Sequence, residues 1–390
     1  MRIVDVNAFY TPSGGGVRTY VERKLKALPA LGHEIVILSP GTENRTIAVG
    51  DHASIVTIAA PRFPLDKRYG YFNDEAALHR AIDALEPDYL EASSPWGSAA
   101  MVAHWPGDAP RALILHADPL SAYAYRWFGS IAPRPVIDRG FDRYWRHLRR
   151  MDEAFDHVIS ASRDLSDRMT AGGLSRVRTV PMGVEPGIFD PGLRDEGLRA
   201  SLLADCALGS DATLLLTIGR FAPEKRIPLV IKAALAAGSR SPIGLIVVGE
   251  GRDQAAVRRA CAHSPHVRIL EPVRSRDRLA RLMASCDALV HGCEAETFCM
   301  VAAEARASGL PLIVPDRGGA SDHHRPGQGM CYRAADGSAL VEAIAAFVEA
   351  DPIRQRRNAT RAAPSVLSMN MHFEQLMALY QQQRVMRHAA

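Results

Sequence analysis

The chain has 390 residues, of which 47% are hydrophobic and 23% charged, and its formal net charge is +4. This length predicts two or three domains with large cores, and so small a charge argues against a nucleic-acid partner. Because no apolar run approaches the roughly 20 residues of a membrane span and the six cysteines form no C-x-x-C pair, we expect no membrane-spanning helix, no disulfide framework and no metal framework, in a reduced cytoplasm.

The first half of the chain alternates short β-branched runs with longer helical patterns, which is typical of parallel α/β domains. Residues 1–6 predict a first strand and not a signal peptide, which would need a longer apolar stretch. The other strands of this half are predicted at residues 34–38, 54–58, 89–91, 112–116, 157–160 and 178–180. Helices are predicted between them, for example over residues 17–31 and 76–85.

Three glycines, Gly14, Gly15 and Gly16, follow the first predicted strand and open the first helix. Glycine allows positive φ and lets backbone amides approach a ligand closely, although a flexible turn explains the run equally well. The pattern is not G-x-G-x-x-G, and Glu34 begins the second strand where a dinucleotide site needs an acid at its end. A nicotinamide dehydrogenase is therefore disfavoured.

Residues 181–192 contain three prolines and three glycines, which predicts a linker between domains. The alternation then resumes, with strands predicted at residues 214–218, 244–248, 267–270, 288–291 and 312–314, and helices after Lys225, Arg252, Arg276, Thr297 and Ser338. We therefore predict an α/β fold of two Rossmann-like, doubly wound parallel-sheet domains facing across a cleft. They are a first domain of residues 1–190, joined by a C-terminal helix over 370–390, and a second domain of residues 191–369.

Two basic residues, Arg220 and Lys225, follow the first strand of the second predicted domain, at the sheet edge where open α/β proteins bind ligands. A guanidinium and an ammonium together suit a diphosphate, but a solvated loop with a local ion pair is the alternative. The turn that contains Gly249 follows the predicted strand 244–248, and the turn that contains Val273 follows the predicted strand 267–270. They could present backbone groups to a base or be ordinary turns.

Glu296 and Glu304 lie around the start of an otherwise apolar helical segment that includes Thr297, Phe298, Cys299 and Met300. A buried acid is costly unless something satisfies it, and a helix N-terminus binds anions. This combination predicts a nucleotide-sugar pocket in which Glu304 takes ribose hydroxyls. The alternative is that Glu296 only complements the helix dipole and Glu304 points to solvent.

These segments, in this order, resemble the GT-B glycosyltransferases, and specifically the retaining group known as family 4. The resemblance spans nearly the full length and rests on the glycine turn, His116 in the segment 116–119, the segment 181–184, Gly219-Arg220 with Glu224-Lys225, the segment 248–251, and Glu296 with Glu304 at E-x7-E spacing.

The resemblance implies transfer of a hexose from a UDP- or GDP-linked sugar, with retention of configuration and without a metal or other cofactor. It assigns the diphosphate to Arg220, Lys225 and the amides of Gly15 and Gly16, and the ribose to Glu304. It assigns the donor sugar to Glu296, with His116 approaching from the opposite domain. The remaining donor-binding positions it implies are Gly249, Val273, Thr297, Phe298, Cys299 and Met300.

Two positions depart from the family pattern. Cys299 and Arg226 each stand where the family commonly has a glycine. Neither change removes a charged group, and either could alter the choice of donor.

Residues 121–150 carry seven arginines and seven interleaved aromatic residues, with apolar positions at helical spacing. We hypothesise that this segment, with residues 62–72, contacts an anionic membrane surface and brings the site to a lipid-linked acceptor. The alternative is a helix that packs its apolar side on the first domain and solvates its arginines.

The resulting prediction is a cytoplasmic glycosyltransferase, peripheral to the inner face of the cell membrane, that acts on a lipid or glycan acceptor in glycolipid or polysaccharide synthesis. Two other functions fit the same architecture. One is a sugar-nucleotide epimerase, and the other is a non-catalytic nucleotide-sugar binding subunit.

Overall fold

The computed structural model describes residues 1–11, 15–64 and 66–389. Of residues 388 and 389 it describes the backbone and not the side chains. Pro12, Ser13 and Gly14 of the predicted glycine turn, Leu65 of the segment 62–72, and Ala390 lie outside the described residues. The chain separates into two units. The first comprises Met1–Asp118, Gly129–Pro181 and Met369–Ala390, and the second comprises Pro119–Phe128 and Met182–Ser368. The predicted boundary at residue 190 lies inside the second unit.

The strands, in chain order, are β1 (Arg2–Val6), β2 (Glu34–Gly41), β3 (Arg45–Gly50), β4 (Ala53–Ala59), β5 (Tyr89–Ser93), β6 (Arg111–Ile114), β7 (His157–Ser160), β8 (Val177–Thr179), β9 (Thr213–Ile218), β10 (Ile243–Val248), β11 (Val267–Leu270), β12 (Ala288–Val290), β13 (Leu312–Pro315) and β14 (Gly329–Tyr332). Each predicted strand overlaps an observed one, whereas β3 and β14 were not predicted.

The α-helices are α1 (Gly16–Ala30), α2 (Glu75–Leu85), α3 (Gly97–His104), α4 (Tyr125–Phe128), α5 (Arg134–Gly140), α6 (Asp142–Ala154), α7 (Arg163–Ala171), α8 (Glu196–Asp205), α9 (Ile227–Ala237), α10 (Gln254–Ala260), α11 (Arg276–Ser285), α12 (Met300–Ala307), α13 (Gly337–Glu349), α14 (Pro352–Ala362) and α15 (Met369–Ala389). A π-helical turn precedes α4 at Leu120–Ala124, and 3-10 turns lie at Pro191–Leu193, Pro223–Lys225, Ser321–His323 and Ala363–Ser365. Across residues 1–11, 15–64 and 66–389, none of these helices combines the length and apolar character that a membrane crossing requires.

The first unit is built on a sheet in which the described strands follow the order β3-β4-β2-β1-β5-β6-β7-β8. All neighbours are parallel except β3, which pairs antiparallel with β4. Strand β1 is central, and Ile3, Val4 and Val6 are fully buried. Such continuous apolar strands are expected where helices cover both faces of a parallel sheet.

The C-terminal helix α15 belongs to the first unit and packs against α1. Its apolar positions recur every three or four residues, and Phe373, Leu376 and Tyr380 are fully buried. The ring of Tyr380 stacks on Tyr89 of β5 with centroids 3.8 Å apart. The last helix of the chain therefore completes the core of the first unit.

The second unit is built on an all-parallel sheet with the order β11-β10-β9-β12-β13-β14 among the described strands. Its strands read as nearly continuous Leu, Ile and Val because α9 and α13, which pack on each other, help to cover the sheet. Strands β10 and β11 follow β9 on one side of the sheet, whereas β12, β13 and β14 follow one another on the other side, so the direction of the strand order changes between β9 and β12. Ligands of open α/β sheets bind at such a switch point, beyond the carboxyl ends of the strands. Two parallel α/β sheets confirm the predicted fold class.

Candidate active site

An ion pair between Lys225 and Glu296 lies at the switch point of the second sheet. Lys225 closes the 3-10 turn that follows β9, Glu296 lies in the loop between β12 and α12, and the ammonium bonds the carboxylate directly. Burial by itself lowers the pKa of Lys225, but the Glu296 carboxylate outweighs this and raises it. Burial likewise raises the pKa of Glu296, but Lys225 and His291 hold it well below its usual value. Both groups therefore stay charged.

A second ion pair, Arg226 with Glu294, lies directly beside the first. The Arg226 Nε donates to Glu294 Oε2 at 2.8 Å, and its NH2 group bonds the other carboxylate oxygen. The two loops approach so closely that a Cβ on Gly292 would lie 2.9 Å from the Lys225 carbonyl oxygen. Sequence reasoning did not find this pair, because neither residue belongs to a spacing pattern that predicts it.

The side chains of His291 and Cys299 also lie close to the Glu296 carboxylate. The His291 Nε2 lies 3.5 Å from Glu296 Oε1 and 3.5 Å from the Cys299 Sγ. Burial raises the pKa of the Cys299 thiol well above its usual value, and the neighbouring Glu296 adds to this effect.

The two departures from the family pattern share a backbone property. Arg226 has φ of 50° and Cys299 has φ of 70°. Side chains other than glycine, asparagine and aspartate rarely occupy this left-handed region. The positions where the family commonly has glycine are thus positions whose conformation favours glycine, and this chain keeps the conformation with larger residues.

Glu304 lies in the second turn of α12 and is only 6% exposed, so the alternative of a solvent-facing side chain is wrong. Its carboxylate accepts a hydrogen bond of 2.8 Å from the Arg276 guanidinium. Arg276 also lies over the Phe189 ring at 4.8 Å and 3.9 Å from Glu185. A partly exposed cationic partner therefore satisfies Glu304, and sequence reasoning had not assigned Arg276 this role.

The start of α12, with Phe298 and Cys299 before Met300, is fixed by the loop after β13. A Cβ on Gly319 would lie 2.6 Å from the Phe298 backbone, so only glycine fits there. The His323 Nε2 donates to the Phe298 carbonyl oxygen at 2.8 Å, and burial lowers the pKa of His323 to about 4. A neutral histidine thus anchors this segment, in which Thr297 is half-buried.

The remaining predicted donor residues belong to neither ion pair. Arg220 is exposed, and its guanidinium donates to Glu224 at 3.0 Å. Gly249 has a structural reason to be glycine, since a Cβ there would lie 2.0 Å from the Gly219 carbonyl oxygen. It lines a cavity of about 870 Å³ along β11 together with Glu271, Pro272 and Arg274, whereas Val273 is not among the lining residues. The ion pairs lie at the switch point, where open α/β sheets bind ligands, and therefore form the candidate site.

In the first unit, His116 follows β6 and contacts a buried polar network. The Ser93 hydroxyl lies 3.2 Å from the His116 Nε2 and donates to Asp5 Oδ1 at 2.9 Å. Lys24 bonds Asp5 at 3.1 Å and also bonds Glu91, and all of these three charged side chains are fully buried. Because the single Ser93 hydroxyl proton goes to Asp5, Ser93 must accept from His116, so Nε2 carries the imidazole proton.

His116 is neutral in this position. Burial lowers its pKa to about 4, which Asp5 only partly opposes. Its ring meets the Tyr20 ring edge-on, with centroids 5.1 Å apart. The Tyr20 hydroxyl lies 3.1 Å from the His372 Nε2, and His372 Nδ1 donates to the Pro181 carbonyl at 2.9 Å. His372 of α15 therefore accepts from Tyr20, and the network joins β1, β5, α1 and α15.

The described part of the predicted glycine turn lies at the beginning of α1. Gly15 is the residue before the helix and Gly16 its first residue. A Cβ at either position would meet no described atom within 4 Å. Among the described residues, therefore, nothing crowds the Cβ positions of these two glycines.

The basic aromatic segment divides into two parts. In α6, Trp145, Leu148 and Met151 are buried within the first unit, so the helix packs its apolar side inward, as the alternative proposed. The exposed aromatic side chains lie before it, at Tyr123 (53% exposed), Trp127 (57%) and Phe128 (40%). In the segment 62–72, Phe63 and Tyr71 are also exposed.

Comparison with known proteins gives matches over both halves. Residues 14–187 match the family described as Glycosyltransferase Family 4, and residues 204–365 match Glycosyl transferases group 1. A GDP-mannose-dependent alpha-mannosyltransferase of Mycobacterium tuberculosis (strain CDC 1551) is 29% identical over 333 residues, covering 84% of this chain and 83% of the relative.

Two further proteins are similar over nearly the full length. A GDP-mannose-dependent alpha-(1-6)-phosphatidylinositol dimannoside mannosyltransferase of Mycobacterium tuberculosis (strain H37Ra) is 25% identical, covering 93% of this chain and 92% of the relative. The solved structure of sucrose-phosphate synthase from Thermosynechococcus elongatus superposes with a TM-score of 0.73 at 20% identity, covering 98% of this chain and 99% of that one. At such low identity, this likeness concerns the fold.

Proposed function

Since the chain belongs to the family 4 glycosyltransferases of the GT-B fold, we propose that it transfers mannose from GDP-mannose to a lipid or glycan acceptor of the cell envelope. The choice of GDP-mannose is supported by the names of the mannosyltransferase relatives. The choice of a lipid acceptor is supported by the relative named for a phosphatidylinositol dimannoside.

The Lys225–Glu296 ion pair is the observation that carries this proposal. A diphosphate that arrives beside Lys225 replaces the carboxylate as partner of the ammonium, and Glu296 then accepts hydrogen bonds from sugar hydroxyls. The positive charge is in place before the leaving group departs, so it stabilises the developing charge without reorganisation. Arg220 and the backbone amides at the N-terminus of α1 supply further donors for the phosphates.

The reaction we propose retains the anomeric configuration and needs no metal. The bond between the anomeric carbon and the diphosphate breaks, and the acceptor oxygen bonds the same face of that carbon. The acceptor proton passes to the departing phosphate oxygen. Cationic side chains take the place of a metal in neutralising the leaving group.

Two further residues have roles in this proposal. His116, which burial keeps neutral, contacts a hydroxyl of the donor sugar. Glu304 accepts from the ribose hydroxyls, and the Arg276 guanidinium compensates the charge of its carboxylate.

Thermal unfolding in the presence of nucleotide sugars tests the donor. A ligand that binds only the native protein raises its melting temperature by mass action. We expect GDP-mannose to stabilise the protein more than GDP-glucose, UDP-glucose or UDP-galactose does at equal concentration. If none of the four stabilises it, the proposed function is wrong.

Product analysis separates the transferase from its alternatives. A transferase releases GDP from GDP-mannose only when an acceptor is present, whereas an epimerase changes the sugar without one. A non-catalytic binding subunit would be stabilised by the donor and release no GDP with any acceptor fraction of a cell-envelope lipid extract.

We further propose that the exposed aromatic residues Tyr123, Trp127 and Phe128 contact an anionic membrane surface, with Arg126 beside the Trp127 ring at 5.9 Å. Aromatic side chains with a neighbouring arginine suit the headgroup region of a bilayer. Such contact would give the site access to a lipid acceptor.

A further inference from the structure

Three different metal-binding groups meet beside the Lys225–Glu296 pair: the His291 imidazole, the Glu296 carboxylate and the Cys299 thiol. Their ligand atoms all lie within 4.8 Å of one another, with Nε2 3.5 Å from both the carboxylate oxygen and the sulfur. Among residues 1–11, 15–64 and 66–389, this is the one group of three or more such side chains so arranged.

The spacing of these atoms fits a tetrahedral ion. Zinc binds nitrogen and oxygen at about 2.0–2.2 Å and thiolate sulfur at about 2.3 Å, which places neighbouring ligands roughly 3.3–3.7 Å apart. The combination of imidazole, thiolate and carboxylate is also one that zinc accepts. Both separations from His291 Nε2 therefore match the edges of a zinc coordination polyhedron. The carboxylate oxygen and the sulfur lie within 4.8 Å of each other, and a side-chain rotation closes this third edge.

The framework that holds the three groups is firm. His291 directly follows β12, and its carbonyl accepts a hydrogen bond of 2.8 Å from the Tyr332 hydroxyl. Cys299 immediately precedes α12, and both residues are buried. Glu296, half-buried between them, is the one member whose present partner, Lys225, must be exchanged.

Cys299 supplies the sulfur of this arrangement from an unusual backbone position. It stands where the family commonly has glycine, and its φ of 70° favours glycine. The chain nevertheless keeps a side chain there, and that side chain places sulfur beside an imidazole and a carboxylate.

We propose that His291, Glu296 and Cys299 form an inhibitory site for zinc or a chemically similar divalent ion. On binding, the Cys299 thiol releases its proton to solvent, and Glu296 exchanges the Lys225 ammonium for the metal. The bound ion then prevents the Glu296 carboxylate from accepting hydrogen bonds from the donor sugar. Its positive charge also repels the Lys225 ammonium, which binds the diphosphate. Binding of the ion stands on the geometry alone, whereas inhibition rests on the proposed function.

Cobalt and zinc titrations of the metal-free protein test the site. We expect one equivalent of Co²⁺ to give a thiolate-to-cobalt charge-transfer band, and one equivalent of Zn²⁺ to remove it. Cys299→Ser, which keeps a side chain of similar size, should lose the band. It should also bind Zn²⁺ at least about tenfold more weakly, because even the loss of a residue that only hydrogen-bonds to a metal ligand typically weakens metal binding by this factor.

Cys331→Ser is the matched control, because Cys331 is an exposed free thiol away from this group. It should keep both the band and the zinc affinity. His291→Asn, with its melting temperature checked, is the second test and should also lose the tight site. A wild-type protein without the band, or a Cys299→Ser protein that retains it, would overturn the proposal.

Competition with GDP tests inhibition. Zinc should weaken GDP binding to the wild type at least about tenfold more than to Cys299→Ser, a comparison that cancels chelation of zinc by GDP itself. Equal weakening in both proteins overturns the inhibitory role. Failure of the proposed function has a different result. In that case the protein without metal does not bind GDP, but it still gives the charge-transfer band when Co²⁺ is added.

Discussion

Lys24 in the first unit shows how strongly a single residue can determine local stability. Its ammonium is fully buried and bonds the equally buried carboxylates of Asp5 and Glu91. Burial by itself lowers the pKa of Lys24, but the two carboxylates raise it, so it remains charged. A buried charge that loses its partner is not compensated by water.

We predict that Lys24→Met destabilises the protein by about 3–5 kcal/mol, because it leaves two carboxylates buried without a counter-ion. Lys26→Met is the control, since Lys26 lies on the same helix and is exposed. Its effect should stay within about 0.5 kcal/mol. Urea unfolding measures both, and equal effects of the two substitutions would contradict the role of the buried network.

Two histidines of the first unit, His116 and His372, predict a pH dependence of stability. Burial lowers the pKa of His116 and of His372 to about 4, below the value of about 6.5 in an unfolded chain. A group whose folded pKa is lowered in this way contributes stability that is complete above pH 6.5. Between pH 6.5 and 4 the unfolded state binds more protons, so the free energy of unfolding falls.

An NMR titration of the histidine rings checks this directly. Both rings should stay neutral at pH 6 and titrate near pH 4, and the His116 spectrum should show the proton on Nε2. His116→Gln should reduce the loss of stability between pH 6.5 and pH 5, whereas the same change at the exposed His104 should leave it unaltered. A His116 midpoint near 6.5 would show that the network does not hold the ring neutral.

Sequence reasoning found Lys225 and Glu296 because their residue types and motif spacing carry information. It did not find their neighbours. The Arg226–Glu294 pair joins residues 68 positions apart, and the Arg276–Glu304 pair joins residues 28 positions apart. Such pairs depend on how two loops meet, and no local periodicity records that.

At the scale of elements, the interior strands could be predicted and the edges could not. Strands β9 and β10 are buried along almost their whole length and read as apolar runs. All residues of β3 are exposed, so its sequence lacks the alternation that marks a half-buried strand. Strand β14 is a short edge strand that begins with glycine. Helix α12 begins at Met300, after the left-handed Cys299, which is later than predicted.

The C-terminal helix α15 gives a prediction at this scale. Leu376→Ala should destabilise the protein by about 2–5 kcal/mol, because Leu376 is fully buried in the first unit. Val385→Ala on the same helix should change stability by less than about 0.5 kcal/mol, because Val385 is 68% exposed. Chemical denaturation measures both. Similar small effects would mean that α15 is not part of the core.

At the scale of the whole molecule, the proposed membrane contact predicts binding to vesicles. Trp127→Ser should weaken flotation with anionic vesicles about tenfold, since burying an aromatic side chain contributes roughly 1.5 kcal/mol or more. Ile353→Ser is the control, because Ile353 is 67% exposed but belongs to the polar helix α14. Binding should weaken at high salt. A wild-type protein that does not float at low salt would refute the contact.

The central claim is that Lys225 binds the diphosphate of the donor. Calorimetric titration with GDP tests it without an acceptor. Lys225→Ala should weaken GDP binding about tenfold to a hundredfold, the effect expected for a charge-assisted hydrogen bond of about 1.5–3 kcal/mol. Lys232→Ala, a change at an exposed lysine of the same unit, should bind as the wild type does. Equal GDP affinity in the two variants would contradict the account.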